Sequence, residues 1–127
     1  MTNSRRKGKA GELEAVHYLR DIGFPDARRS QQFNGLGDSD ITCPDSLPNV
    51  HIECKRRKDI CVGTASHQAA ILQASSECGN REWCVLWRRD GAKIWKLTFV
   101  PQYPQVPSTV SGDEAIASCL TWLNGGN

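Results

Sequence analysis

Apolar residues near the start of the chain recur at helical spacing. Ala15, Val16 and Leu19 share one stripe, which predicts a helix over residues 6–21. Gly23-Phe24-Pro25 should end it, since glycine supplies a C-cap and proline cannot continue a helix. The pattern then shifts to short runs separated by turn residues. A strand is expected over residues 27–32, followed by a glycine-containing turn over 34–37. Residues 40–43 and 50–55 read as a hairpin whose loop, 44–48, carries prolines. A second helix fits residues 65–78, with Ala65, Ala69 and Leu72 as its apolar stripe and Gly79-Asn80 as its stop. Two more strands, 83–87 and 93–100, flank the turn Arg89-Asp90-Gly91. Pro101, Pro104 and Pro107 suggest an extended connection to a last helix over 113–123, capped by Ser111 and stopped by Gly125-Gly126. The order α-β-β-β-α-β-β-α predicts an α/β fold with a central mixed sheet flanked by helices.

The strand at His51-Ile52-Glu53-Cys54-Lys55 carries the candidate chemistry. Residues two apart on a strand share a face, so Glu53 and Lys55 point one way while Ile52 and Cys54 enter the core. Gly37-Asp38-Ser39-Asp40-Ile41 lies at the start of the neighbouring strand, and a hairpin would set Asp40 beside Glu53. Asp38 shares the face of Asp40 and is its rival. Two converging carboxylates repel each other unless a cation lies between them. Mg²⁺ suits such a site, because it prefers carboxylate oxygen and keeps waters and substrate phosphate in its shell. Lys55 could then orient an attacking water or stabilise charge on a phosphorane. The ordinary alternative is a surface strand with a cross-strand ion pair of little energetic consequence.

Helical periodicity selects a third acid. Glu12 has Ala15, Val16 and Leu19 at i+3, i+4 and i+7 and so faces the sheet, whereas Glu14 lies on a more polar face with His17, Tyr18 and Asp21. A carboxylate aimed at a core needs a metal or a partner such as an arginine. Gln68 sits beside Ile71 and Leu72 on the second helix, where it could reach the site or simply occupy a helix edge. His17, His51 and His67 are scattered; His51 shares the face of Glu53, where it could support that acid, though a plain exposed histidine is the first expectation.

Composition narrows the class without deciding it. A chain of 127 residues, 39% hydrophobic and 24% charged, suits a single domain. No apolar run approaches the roughly 20 residues of a membrane span, and no apolar stretch of a signal peptide is present. Six cysteines lack any C-x-x-C pair, and Cys54 and Cys84 lie in apolar runs, so reduced thiols in a cytoplasmic protein are expected rather than disulfides or zinc. The net charge of +2 is small. Arg5, Arg6, Lys7 and Lys9 open the first helix, and Lys55-Arg56-Arg57-Lys58 runs out of the Glu53 strand. These clusters are either solvated segments or contacts to phosphates flanking a scissile bond, with Arg28 and Arg29 a weaker case.

Taken in order, these residues resemble the PD-(D/E)xK nuclease superfamily, in particular its Holliday-junction-resolvase-like members. Arg6-Lys7-Gly8-Lys9-Ala10-Gly11-Glu12 is similar to the start of archaeal resolvases. Gly37-Asp38-Ser39-Asp40-Ile41 resembles the "PD" motif with serine for proline, and His51-Ile52-Glu53-Cys54-Lys55 resembles (D/E)xK. The interval from Lys55 to Gln68 and the strand after Gly79 are also similar to virus-type replication-repair nucleases. The resemblance covers residues 5–100. It implies a restriction-endonuclease-like core over 1–100, with 101–127 packed on the same domain. It further implies Mg²⁺ or Mn²⁺ held by Asp40, Glu53, Glu12 and the Cys54 backbone carbonyl, with Lys55 assisting the attacking water.

The implied activity is a metal-dependent DNA endonuclease selective for branched DNA such as four-way junctions. A homodimer is implied too, since resolution needs two cuts related by two-fold symmetry. Prokaryotic or phage origin and a role in recombination or repair belong to the same expectation. Nicked, flapped or duplex DNA would use the same residues. A non-catalytic DNA-binding module and an interaction protein with surface acid–base pairs are the rivals from other classes.

Overall fold

The fold was analysed in a computed structural model, which describes residues 4–30, 40–103 and 105–125, with side chains from residue 9 onward. Helix α1 (Ser4–Asp21) leads to β1 (Arg28–Arg29), β2 (Ile41–Thr42) and β3 (Val50–Arg57). Helix α2 (Ala65–Glu77) crosses to β4 (Glu82–Arg89), and β5 (Lys96–Phe99), β6 (Ser108–Ser111) and α3 (Asp113–Leu123) complete the chain. Among the described residues six strands form one sheet in the order β1-β2-β3-β4-β5-β6. Of these strands only β3 and β4 run parallel, joined by α2, as a parallel neighbour requires a crossover. The expected α/β architecture with a helix-flanked mixed sheet is therefore present. The expected turn over 34–37, Asp38 and the end of the predicted 27–32 strand lie outside the described residues.

Strand alternation divides the sheet into two chemically different faces. Ile41, Ile52, Cys54, Cys84, Leu86, Leu97 and Phe99 form one apolar layer with Ala15, Val16 and Leu19 of α1 and Ile116, Leu120 and Leu123 of α3. On the other face Val85 and Trp87 meet Ala70 and Ala74 of α2, together with Ile60. Gly11 lets α1 come close to β3, since a Cβ there would lie 3.2 Å from the Arg56 Cβ.

Three sequence expectations need correction. The extended connection after Pro101 contains a sixth strand, β6, paired antiparallel with β5. Its Ser-Thr-Val-Ser sequence has a single apolar residue and hence no alternation to read, and Pro107 precedes it at the sheet edge, where proline is tolerated. Ser111 ends that strand instead of capping α3, whose N-cap is Gly112 with no side-chain cap bond. In α2 the stripe of Ala65, Ala69 and Leu72 is exposed, and Leu72 is 70% accessible. The helix buries His67, Ala70 and Ala74 instead. The Thr64 cap accepts from the His67 N–H, which sets where the helix starts, and polar pairing for His67 then makes the stripe of His67, Ala70 and Ala74 the inner one.

That pairing is complete. Gly63 N–H donates to His67 Nδ1 (3.2 Å), which leaves the ring proton on Nε2, and Nε2–H donates to Thr98 Oγ1 (2.9 Å). Trp87 Nε1–H donates to the same oxygen (2.9 Å), so the Thr98 hydroxyl proton goes to Thr109 Oγ1 (2.7 Å). The network ties α2, β4, β5 and β6 together through one hydroxyl.

Thr98→Val removes the acceptor of two buried donors and should destabilise the protein by about 2–4 kcal/mol in urea unfolding. Burial lowers the pKa of His67. The unfolded chain therefore takes up a proton more readily than the folded one as pH falls below about 6.5. Stability should be flat above that pH and decline beneath it, and His67→Gln should remove that part of the decline.

Candidate functional site

The β2–β3 register pairs Ile41 with Ile52, so one step back along β2 sets Asp40 across from Glu53. The two carboxyls lie close enough for the charge of Glu53 to act on Asp40. Asp40 Oδ2 also accepts from the Cys54 backbone N–H (3.0 Å). The N–H and C=O of one strand residue point to the same side, so the Cys54 carbonyl lies on this edge of β3 as well. Glu53 is 1% accessible. Its Oε1 accepts from His51 Nε2 at 2.8 Å, and its Oε2 is buried with no hydrogen-bond partner.

A half-buried acid beside a fully buried one makes ionisation costly. Burial, followed by the Glu53 charge, pushes the Asp40 pKa up to about 8 in spite of the bond from Cys54 N–H, and the charge of Glu12 adds to the rise. Either a shared proton or a cation resolves such a pair. The donor set of two carboxylates and a nearby peptide carbonyl is all oxygen, as Mg²⁺ and Mn²⁺ prefer. The orphaned Glu53 Oε2 is a position where a bound cation would supply the missing partner, and the residues fit the metal that the sequence implied.

Glu12 is half-buried on α1 and accepts from Arg29 Nε at 2.9 Å. It combines the two readings offered by the sequence: an arginine satisfies it, and its charge is felt at Asp40 and Cys54. Lys55 is half-buried on the Glu53 face, opposite Trp87, and no hydrogen bond or ion pair engages it among the described residues. Gln68 is exposed and donates from Nε2 to the Gly63 carbonyl (3.2 Å), with no bond to Asp40, Glu53 or Lys55. The α2 residue that does approach is Glu77, at the other end of the helix. Its carboxylate, the His51 ring and Glu53 bring ligand atoms within 4.8 Å of one another.

The basic candidates separate by face. Arg56 lies on the α1 side of β3, paired with Glu14 and, at 2.9 Å, with Asp90, and Arg88 also binds Glu14. Arg56 is thus occupied in joining β3 and β4 to α1, because strand alternation turns it away from Glu53 and Lys55. Arg29 is held by Glu12. Lys9, Arg28, Arg57 and Lys58 are exposed, and Arg57 stands beside the exposed Arg89 in the β3–β4 register. Arg5, Arg6 and Lys7 lie in the first turns of α1, and their side chains fall outside the described part of the structure.

His51 departs most from expectation. The predicted exposed histidine is fully buried and accepts from Arg81 Nη2 at Nδ1 (3.0 Å). Its place two residues before Glu53 was the available signal; the burial comes from α2, which covers this face of β3. The six cysteines are free, as expected, and Cys54 and Cys84 are buried. No helix of the described residues is long and apolar enough to cross a membrane. Compared with protein-family models and with curated proteins, the sequence matches none.

Replacing Asp40 by the isosteric, uncharged Asn should stabilise the metal-free protein, with a rise in melting temperature of roughly 3–6 °C at pH 8. The sign follows from the raised pKa. Asp40 favours folding while protonated, below its unfolded value near 4, and that contribution is lost as pH rises through about 8. Melting curves in chelator from pH 5 to 9 should therefore slope downward for the wild type and less so for Asp40→Asn.

Proposed function

We propose that the chain is a divalent-metal-dependent endonuclease that hydrolyses phosphodiesters in DNA, on a restriction-endonuclease-like core. The observation that carries this reading is half-buried Asp40 set across from fully buried Glu53, with one Glu53 carboxylate oxygen left unpartnered. A merely structural acid pair would be expected to turn toward solvent or an arginine. These two instead face each other at a strand edge, with Lys55 beside them on the same sheet face. The order of acids and lysine along the chain resembles that of the PD-(D/E)xK nucleases.

Asp40, Glu53 and the Cys54 carbonyl would hold Mg²⁺ or Mn²⁺, with Glu12 completing the charge around the site. When bound, the metal supplies a Lewis acid that neutralises phosphate charge and makes water a better nucleophile. Lys55, half-buried and without a competing partner among the described residues, orients the attacking water and stabilises charge on the phosphorane. Exposed Lys9, Arg57 and Lys58 contact flanking phosphates, contributing affinity without sequence readout. Branched DNA, with a four-way junction as the type case, cut by a homodimer in the cytoplasm, is the substrate and assembly that the family resemblance favours.

Cleavage of a labelled four-way junction and an equal-length linear duplex, with Mg²⁺, Mn²⁺ or chelator, tests this directly. The wild type should nick the junction in paired, metal-dependent cuts. Asp40→Ala and Glu53→Ala should abolish cutting while binding DNA as well or better, because a repulsive charge is gone. Lys55→Ala should lower the single-turnover rate about 10²–10³-fold with metal affinity largely kept. Metal-dependent cutting of every DNA would retain the nuclease and discard junction selectivity. Intact DNA binding with no cutting of any substrate would replace the nuclease by a binding module.

A further inference from the structure

We infer that Arg81 and His51 form a positioning relay for Glu53, with His51 acting as a hydrogen-bond donor rather than a metal ligand. The inference rests on the reading of Asp40 and Glu53 as the metal-binding pair and adds the group that aims one of them.

The hydrogen-bond chemistry fixes the direction of the relay. A guanidinium has only donors, so the Arg81 Nη2 contact at 3.0 Å makes His51 Nδ1 an acceptor. A neutral imidazole then carries its proton on Nε2, and that N–H donates to Glu53 Oε1 at 2.8 Å. Both ring nitrogens are engaged in a ring that is fully buried. With Oε1 held, rotation of the Glu53 carboxylate is blocked, and Oε2 is the oxygen left without a partner. The second carboxylate oxygen is thereby left free to meet a cation.

The same facts argue against the nearby alternative. His51, Glu53 and Glu77 place ligand atoms close enough together to hold a metal ion. For His51 to ligate through Nε2, its proton would have to move to Nδ1, where it would oppose the Arg81 N–H. The guanidinium would also put a positive charge one imidazole away from the cation. The Arg81 guanidinium on the His51 ring, which lies in the same cluster as Glu77, already brings a positive charge there without a metal. Groups that orient ligating carboxylates typically matter about 10–100-fold in metal affinity.

Two measurements on the 127-residue chain test the relay. In the first, Mn²⁺ binding is titrated by electron paramagnetic resonance for the wild type, Asp40→Ala, His51→Ala and His51→Gln, with circular dichroism to check folding. His51→Ala should bind about 10–100-fold more weakly. His51→Gln, whose amide can still donate but is a poor metal ligand, should recover most of that loss. In the second, ¹⁵N-labelled histidine is followed by long-range ¹H–¹⁵N correlation during Mg²⁺ addition, and His51 should keep its proton on Nε2 throughout. Binding that is abolished in Asp40→Ala but unchanged in His51→Ala would overturn the relay alone. Equal losses in His51→Ala and His51→Gln, with Nε2 deprotonated by Mg²⁺, would make His51 a ligand and overturn it as well. A wild type that binds no Mn²⁺ would remove both the relay and the metal-binding pair it serves.

Discussion

Strand β3 has to satisfy two incompatible neighbourhoods at once. Its Ile52 and Cys54 enter the apolar layer beneath α1 and α3, while His51 and Glu53, one residue out of phase, are sealed beneath α2. A one-residue slip would place a carboxylate in that apolar layer, so the register of β3 against β2 and β4 is set by chemistry on both sides. The arrangement of Asp40, Cys54 and Glu53 follows from this register. Because Ile41 meets Ile52, Asp40 must meet Glu53, and the edge of β3 beyond the short β2 is left to the Asp40 side chain.

Polar groups are buried on this side of the sheet under two different regimes. Around Thr98 every donor finds an acceptor, and the result is a closed network that fastens α2 to the far strands. Around Glu53 the accounting stays open: His51 satisfies one oxygen, the other has no partner, and Asp40 brings a second acceptor where a donor would be needed. One network is thus closed, while the other keeps a buried carboxylate oxygen without a partner.

Much of this was legible in the sequence, for identifiable reasons. Helices α1 and α3 announce themselves by apolar periodicity, and period-2 alternation in β3 already assigned Glu53 and Lys55 to one face and Cys54 to the other. The pairing of Asp40 with Glu53 needed only the short loop between their strands. What escaped was controlled by tertiary contacts. β6 has too few apolar residues to signal a strand and exists because β5 offers it an edge. The inner face of α2 was misread because it is built on His67 and alanines, while Leu72 faces outward. His51 and Glu77 could not be linked to Glu53 from spacing, since the C-terminal end of α2 only reaches β3 through the crossover.

The central claim is that the Asp40–Glu53 contact is a cation site and not a pair sharing a proton. Diffraction from crystals grown with Mn²⁺, recorded where manganese scatters anomalously, decides between the two. The account predicts an anomalous peak bounded by Asp40, Glu53 Oε2 and the Cys54 carbonyl, with oxygen distances of about 2.0–2.3 Å. A map without that peak, with the two carboxyls drawn to a single short O–H···O bond of about 2.5–2.7 Å, would contradict it.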